Sequence, residues 1–436
     1  MSALTARVLE DFASATRGPP ASSSHAAHHR AAAIGALETA GLPSSRDENW
    51  KYANLRSLER VRFTPAPVLR DLASAADLPP SLPGIARFVF IDGRFAPAHS
   101  AALEAGAGAL TPLSQATDGP GPAADGPPAA VAGDERFALL NHAFATDGLA
   151  IEVRKPGTAP LQLETLFVAS AAAQSGASYP RLEVRLAPGA QLTLIERHVS
   201  AGAAASFVMS AVRVALERDA RLEHYRLQEL NSRSTFFDTL SAELAEDAAY
   251  RLHGISTGAQ SARTTLATHL NGERADLALA IAALGDRQQV QDAYAVVEHA
   301  APNARTLQTF RGIAAGRSRV AFNGKIIVAS GARGTDSRQS LRGLLAGGEA
   351  EIDVRPQLEI YTDDVRCSHG ATAGKLDENM LFYLLSRGLE RDTAQRLLKW
   401  AFLEDVIAQI TLPPLRRQIE ERLAGQLRDE ALRELL

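Results

Sequence analysis

"PGAQLTLIERHVS", Pro188 to Ser200, decides how the rest of the chain is read. It opens on a turn pair and an alanine, then places apolar residues at alternate positions, the period of a β-strand. The form recurs. "RDARL" at Arg218, "EDAAY" at Glu246, "ERADL" at Glu273 and "PNART" at Pro302 each put a turn pair before an alanine, one more residue and usually a strand. The alanines, Ala190, Ala220, Ala248, Ala275 and Ala304, follow one another at 30, 28, 27 and 29 residues. A period near 28 built only of strands and turns predicts a β-solenoid whose coils stack on one another. A leucine-rich repeat has a similar period but needs L-x-x-L-x-L, which does not occur here. A β-sandwich would show similar strands without the regular spacing.

Working outward, the chain has 436 residues, 46% of them hydrophobic, enough for a large core. Its net charge of −4, with both signs mixed, lacks the basic stripe of a nucleic-acid binder. No apolar run approaches the roughly 18–20 residues of a membrane span. The opening "MSALTARVLEDFASA" reads as an amphipathic helix without the apolar region of a signal peptide. A single cysteine cannot form an internal disulfide, so a reducing, cytoplasmic setting is expected.

Residues 1–103 are expected to form a helical region, with "RGPPASSS" (Arg17 to Ser24) as a breaker. His25, His28 and His29 read as a solvated helix face, since no cysteine or carboxylate cluster joins them. "GLPSSRDENWKYANLRSL" (Gly41 to Leu58) concentrates Trp50 and Tyr52 among charges and is expected to dock its rings on the next domain. Residues 104–149, rich in Gly, Pro and Ala over Glu104 to Glu135, are expected to be a flexible linker. The solenoid is expected over 150–375 and a C-terminal helical domain over 376–436. In that domain Asp377 is a plausible N-cap and Gly388 a stop. A second helix opening at Asp392 would carry Leu398, Phe402, Val406 and Ile410, and Pro413-Pro414 would end it. A third would carry Leu415, Ile419, Leu423 and Leu427. These stripes could be core, a cap on the solenoid or a docking face.

The chain's one thiol lies in "LEIYTDDVRCSHGATAGKL" (Leu358 to Leu376), which reads as a strand. On a strand Cys367 and His369 share a face, about 7 Å apart along the chain. Two soft ligands fall short of the four that a closed zinc or iron–sulfur site normally needs, so any metal there requires ligands from elsewhere. A buried thiol beside a hydrogen-bonded histidine, a shared metal or cluster site at a subunit interface, and a Cys/His nucleophile all remain open. Asp363 and Asp364 raise a fourth reading, carbohydrate cleavage, by analogy with other parallel β-helices. Neighbouring carboxylates on one strand would point to opposite faces, which argues against a catalytic pair. No G-x-x-x-x-G-K-[ST] occurs, so ATP hydrolysis by this chain is not expected.

"DDVRCSHGATAGKLDENMLFYLLSRGL" (Asp363 to Leu389) resembles the C-terminal signature of the SufB/SufD family of the SUF iron–sulfur cluster assembly machinery. "ENWKY" (Glu48 to Tyr52) resembles the family's N-terminal motif, with Ala53 where Thr usually follows. "FNGKIIV" (Phe322 to Val328), "TDSRQ" (Thr335 to Gln339) and "PQLEIYTDDV" (Pro356 to Val365) match the intervening pattern. Ser368-His369-Gly370 and the absence of a second cysteine resemble the SufD branch, since SufB usually carries E-H-E-A-T and sulfur-receiving cysteines. The resemblance implies a mainly β fold, a right-handed parallel β-helix flanked by N- and C-terminal helical regions. It implies a non-catalytic scaffold that pairs with a SufB-like paralogue and binds a SufC-like ATPase through the C-terminal helices, with a homodimer possible for the isolated chain. It places His369 at the shared nascent-cluster interface as a metal ligand, with Cys367 beside it. The iron–sulfur cluster would be transient and shared with SufB. A partner subunit with no cluster contact is the alternative.

Overall fold

The computed structural model describes residues 2–16, 24–67, 78–102, 108–115, 134–170 and 176–427. The Arg17–Ser24 breaker falls almost wholly outside these residues, as does most of the Gly/Pro/Ala-rich segment.

Two ten-stranded sheets face each other and wind into a β-solenoid of about seven turns. The first sheet runs from the strand Ala86–Ile91 through Leu161–Ala169, Gln191–Ser200, Arg221–Glu229, Ala249–Ser256, Asp276–Gly285, Arg305–Ala314 and Thr335–Leu345 to Val365–Lys375. From Arg181 onward the chain alternates between this sheet and the second, which ends at Glu351–Ile360. All pairings between coils are parallel. Leu192, Leu194, Leu222, Leu252, Leu277 and Phe322 point inward and build the continuous core.

The repeating turn has a backbone cause. The residue before each alanine takes a left-handed conformation, with φ of 71° at Gly189, 60° at Asp219, 55° at Asp247, 59° at Arg274 and 60° at Asn303. Gly tolerates that region freely and Asp and Asn best among L-residues; Arg274 adopts it without that preference. The N–H groups of these residues donate to the turn of the next coil, as from Asp219 to the Glu246 carbonyl at 3.0 Å and from Asn303 to that of Arg333 at 2.7 Å. The alanines are completely buried beneath, and Ala332, also buried, continues the series. The period is therefore a column of hydrogen-bonded turns over small side chains.

Both outer faces are clad. Three helices, α1 (Ala3–Ala15), α2 (Ser24–Ala40) and α3 (Arg136–Phe144), pack on the second sheet with Val8, Leu37, Trp50, Leu140 and Phe144 around Tyr179, Phe207 and Phe237. Trp50 is buried and its indole N–H donates to Asp134, as the docking reading expected. Two features depart from the expected organisation. The strand Ala86–Ile91 lies within 1–103 and pairs in parallel with Leu161–Ala169, because Phe88 and Phe90 reach the solenoid core on one face. Helix α3 lies within 104–149; there the Gly/Pro composition has ended and "RFALLNHAF" supplies rings for the hydrophobic layer.

The C-terminal helices α4 (Glu378–Ser386), α5 (Arg391–Ile407) and α6 (Pro413–Leu427) do not cap the solenoid end. Helices α5 and α6 lie along the outer face of the first sheet. There Leu403, Val406, Ile407, Leu415, Ile419 and Leu423 cover Ile195, Tyr225, Leu227, Ile255 and Ile313. Those outward positions are apolar, and such a sheet must be covered on both faces. Arg311 pairs with Asp405 at 2.8 Å and Tyr225 Oη meets Thr411 Oγ1 at 2.9 Å. Asp377 caps α4 by accepting from the N–H groups of Asn379 and Met380, and Gly388 follows at φ 89°. Helix α5 begins at Arg391 after Glu390, one residue ahead of the expected Asp392 start, and its buried residues are Ala394, Leu403, Val406 and Ile407; Ile410 is buried just beyond its end, and Leu398 and Phe402 are only half-buried. No helix among the described residues is long and apolar enough to cross a membrane.

Candidate functional site

With α5 and α6 on its flank, the last coil is left open. Glu351–Ile360 and Val365–Lys375 are the terminal strands of their sheets, each paired on one side only. Such edges present unpaired N–H and C=O groups, a template for another chain. Val365 and Cys367 pack against the core, so the odd-numbered residues of the final strand take its inward face. His369 shares that face by alternation, yet it is exposed because no coil lies beyond it. The geometry thus places Cys367 and His369 together, as the strand reading expected. Asp363 and Asp364 lie exposed in the turn before the strand, and not on it.

Half-buried, Cys367 has its thiol pushed up from the ordinary cysteine value by burial and, secondarily, by the negative charge of Asp336. A thiol held protonated is a poor nucleophile, which counts against the Cys/His hydrolase reading. Among the described residues no three His, Cys, Asp or Glu side chains converge as a metal site. Cys367 and His369 therefore offer two ligands of the usual four.

The layer beneath is polar, which the strand pattern did not single out. Cys367 is in register with Ser337 and His369 with Gln339; below those lie Thr306 and Gln308. All four lower residues are buried inside the solenoid. Gln339 Nε2 donates to Gln308 Oε1 at 2.9 Å and to the Gly324 carbonyl at 3.0 Å. Thr306 Oγ1 bonds His299 Nε2 at 2.9 Å, and burial holds the His299 ring neutral, with its pKa lowered to about 4. A Cβ on Gly324 would lie 2.8 Å from both amides, so glycine is needed there. "FNGKIIV" and "TDSRQ" thus meet in the layers directly beneath "CSHGAT". The available signal was the inward alternation of Ser337 and Gln339, polar like Thr306 and Gln308 below them, where the coil before those carries Leu277 and Leu279.

A second polar group sits deeper. Arg226 forks between Glu196 (2.7 and 2.8 Å) and Asp238 (2.7 and 2.9 Å), and His198 Nε2 lies 2.6 Å from Glu196 Oε1. Burial opposes these charges, but the Arg226 guanidinium holds the Glu196 carboxyl well below the usual range. The cluster borders an internal cavity of about 60 Å3. Leu277 and Leu279 occupy the coil between Tyr250–Leu252 and Thr306–Gln308, so this cluster is separated from the open end by an apolar layer.

The end of the solenoid also carries exposed apolar side chains. Ile360 and Tyr361 lie at the end of Glu351–Ile360, and Met380, Phe382 and Tyr383 project from α4, whose single buried residue is Leu381.

Residues 167–402 match the family model described as the SufBD core domain of SUF system FeS cluster assembly. The chain is 33% identical to the iron–sulfur cluster assembly protein SufD of Escherichia coli, over 89% of this chain and 90% of that protein. It is 28% identical to an iron–sulfur cluster assembly SufBD family protein of Synechocystis, over 90% of this chain and 89% of the relative. An iron–sulfur cluster assembly SufBD family protein of Mycobacterium tuberculosis is 33% identical over 36% of this chain and 19% of its own length.

Proposed function

This chain belongs to the SufBD family of the SUF iron–sulfur cluster assembly system, and from that premise we propose that it is a non-catalytic scaffold subunit working in the cytoplasm. It pairs with a SufB-like paralogue through the open coil at Glu351–Lys375 and binds a SufC-like ATPase through the C-terminal helices. His369 is a ligand to a nascent cluster shared across the paired coils, and Cys367 stands beside it. The cluster is cargo, assembled and passed on.

The observation that carries this reading is the exposed His369 on the inward face of a terminal strand paired on one side only. An imidazole there is poorly placed to complete a site alone and well placed to complete one with a second chain stacked on the edge. The ligand deficit is then expected, because the partner supplies the remainder. In isolation the same edges favour self-pairing, so a homodimer is expected when the paralogue is missing.

The test is anaerobic co-expression with the SufB-like and SufC-like proteins, in wild-type and His369→Ala forms. Equal complex formation with loss of iron, sulfide and visible absorbance in the variant supports the reading. Unchanged iron and colour would mean that the chain holds its partners without touching the cluster.

A further inference from the structure

The buried polar atoms without partners include Ser337 Oγ, Gln339 Oε1, Gln308 Nε2 and His299 Nδ1. Each orphan of this kind costs about 1–3 kcal/mol, and the coil beneath Gln308 fills the equivalent inward positions with Leu277 and Leu279. Ser337, Gln339 and Gln308 lie in the layers directly under Cys367 and His369, while others, such as His198 Nδ1 and Asp292 Oδ1, lie elsewhere in the chain.

We propose that Gln339 is a positioning residue for His369, and that Ser337 supports Cys367 in the same way. The inference rests on the cluster-site reading above and extends it to the layer below. Gln339 spends its amide N–H groups on Gln308 Oε1, in the coil beneath, and on the Gly324 carbonyl across the barrel. That leaves Oε1, fixed in place by its own amide, as an acceptor without a donor. The residue stacked on Gln339 in register is His369, about 4.8 Å away along the sheet.

An imidazole N–H given to Gln339 Oε1 fixes the tautomer and ring plane. The other ring nitrogen keeps its lone pair for iron and turns toward the open end. A histidine that binds metal almost always donates its other N–H to such an acceptor. Ser337 stands in the same relation to Cys367, a hydroxyl one coil beneath a sulfur. Gly324 matters because any side chain there would push the Gln308–Gln339 pair apart.

The experiment compares Gln339→Met, Gln339→Glu and His369→Ala in the complex with the SufB-like and SufC-like partners, prepared anaerobically. Iron and sulfide per complex, the visible spectrum and the thermal midpoint are measured on each. Methionine matches glutamine in length and removes the acceptor; glutamate keeps one. The expected result is that Gln339→Met assembles with a lowered midpoint, since Gln308 Oε1 and the Gly324 carbonyl lose their donor, and retains iron roughly tenfold less well, with altered absorbance bands. Gln339→Glu restores iron retention. A purely structural glutamine would show the lowered midpoint with normal iron and spectrum.

Wild-type iron and spectrum in Gln339→Met, together with an iron-free His369→Ala complex, overturns the role of Gln339 and leaves the cluster site standing. Normal iron in His369→Ala overturns both. If Gln339→Met does not assemble, the Gln308→Met/Gln339→Met pair, which orphans neither amide, is measured in its place against the same two outcomes.

Discussion

The Arg263 guanidinium sits 4.4 Å from the centre of the Trp50 ring. Arg263 projects from the second sheet, pairs with Asp292 and donates to the Asn49 carbonyl at 2.8 Å. Trp50 meanwhile packs on Phe137 and Phe237, with centroids 4.9 and 6.2 Å away. One contact therefore fastens "ENWKY" to the solenoid.

Trp50→Ala removes the ring from this layer and leaves the Arg263–Asp292 pair without its cover. A loss of about 3–5 kcal/mol is expected, typical of a buried aromatic truncated in a core. Urea unfolding of the isolated chain measures it. A loss under 1 kcal/mol would show that the N-terminal helices dock independently of this ring.

Arg226→Met should be as damaging for a different reason. Glu196 and Asp238 would face each other inside the solenoid with no cation between them, and breaking a buried pair costs about 3–5 kcal/mol. Glu196→Leu/Arg226→Met/Asp238→Leu removes all three charges and is expected to recover most of the stability. If the triple variant is no better than the single one, the cluster contributes packing more than charge balance.

Acid stability should depend on His142. In the folded chain its ring is kept neutral down to about pH 2, first by burial and then by the charges of Arg181 and Arg213. The unfolded chain takes up that proton near pH 6.5. Between these values the unfolded state binds more protons, so stability falls as pH is lowered, by about 1.4 kcal/mol per pH unit for this group alone. Above pH 6.5 the effect vanishes. His142→Gln should flatten the slope of unfolding free energy between pH 6 and 4.5. Parallel curves for variant and wild type would refute this.

The C-terminal helices have separable duties. Deleting everything after Leu376 uncovers Ile195, Tyr225, Leu227, Ile255 and Ile313 on the first sheet. The expectation is aggregation, read by light scattering, with no surviving monomeric solenoid. Phe382 is 72% exposed, so Phe382→Ser should leave the fold and midpoint intact. A weakened pull-down of the SufC-like ATPase by Phe382→Ser is expected from the proposed docking role, and undiminished binding would place the docking face elsewhere.

Much of the architecture was legible because the solenoid is a local rule repeated. Gly189, Asp219, Asp247 and Asn303 are residue types that accept a left-handed turn, and four of the five buried alanines follow one of them, Ala275 following Arg274 instead. The pairing of Cys367 with His369 followed from strand alternation alone. Phe88 and Phe90 were misplaced because the strand that carries them finds its neighbour Leu161–Ala169 some 75 residues later, with no local sign of the pairing. Helix α3 was masked by the composition around it.

By itself, then, the sequence determined the coil: its period, its turn chemistry, the inward face of each strand and the residues that share a layer at the open end. These depend on backbone conformation and two-residue alternation, which act over a few neighbours. Only the tertiary structure decided which surfaces are covered. An amphipathic stripe such as Leu415–Ile419–Leu423 states that it will be buried but not against what, because apolar attraction has no direction. That choice laid α5 and α6 on the flank of the first sheet. The last coil stayed open, with His369 above the unpartnered oxygen of Gln339.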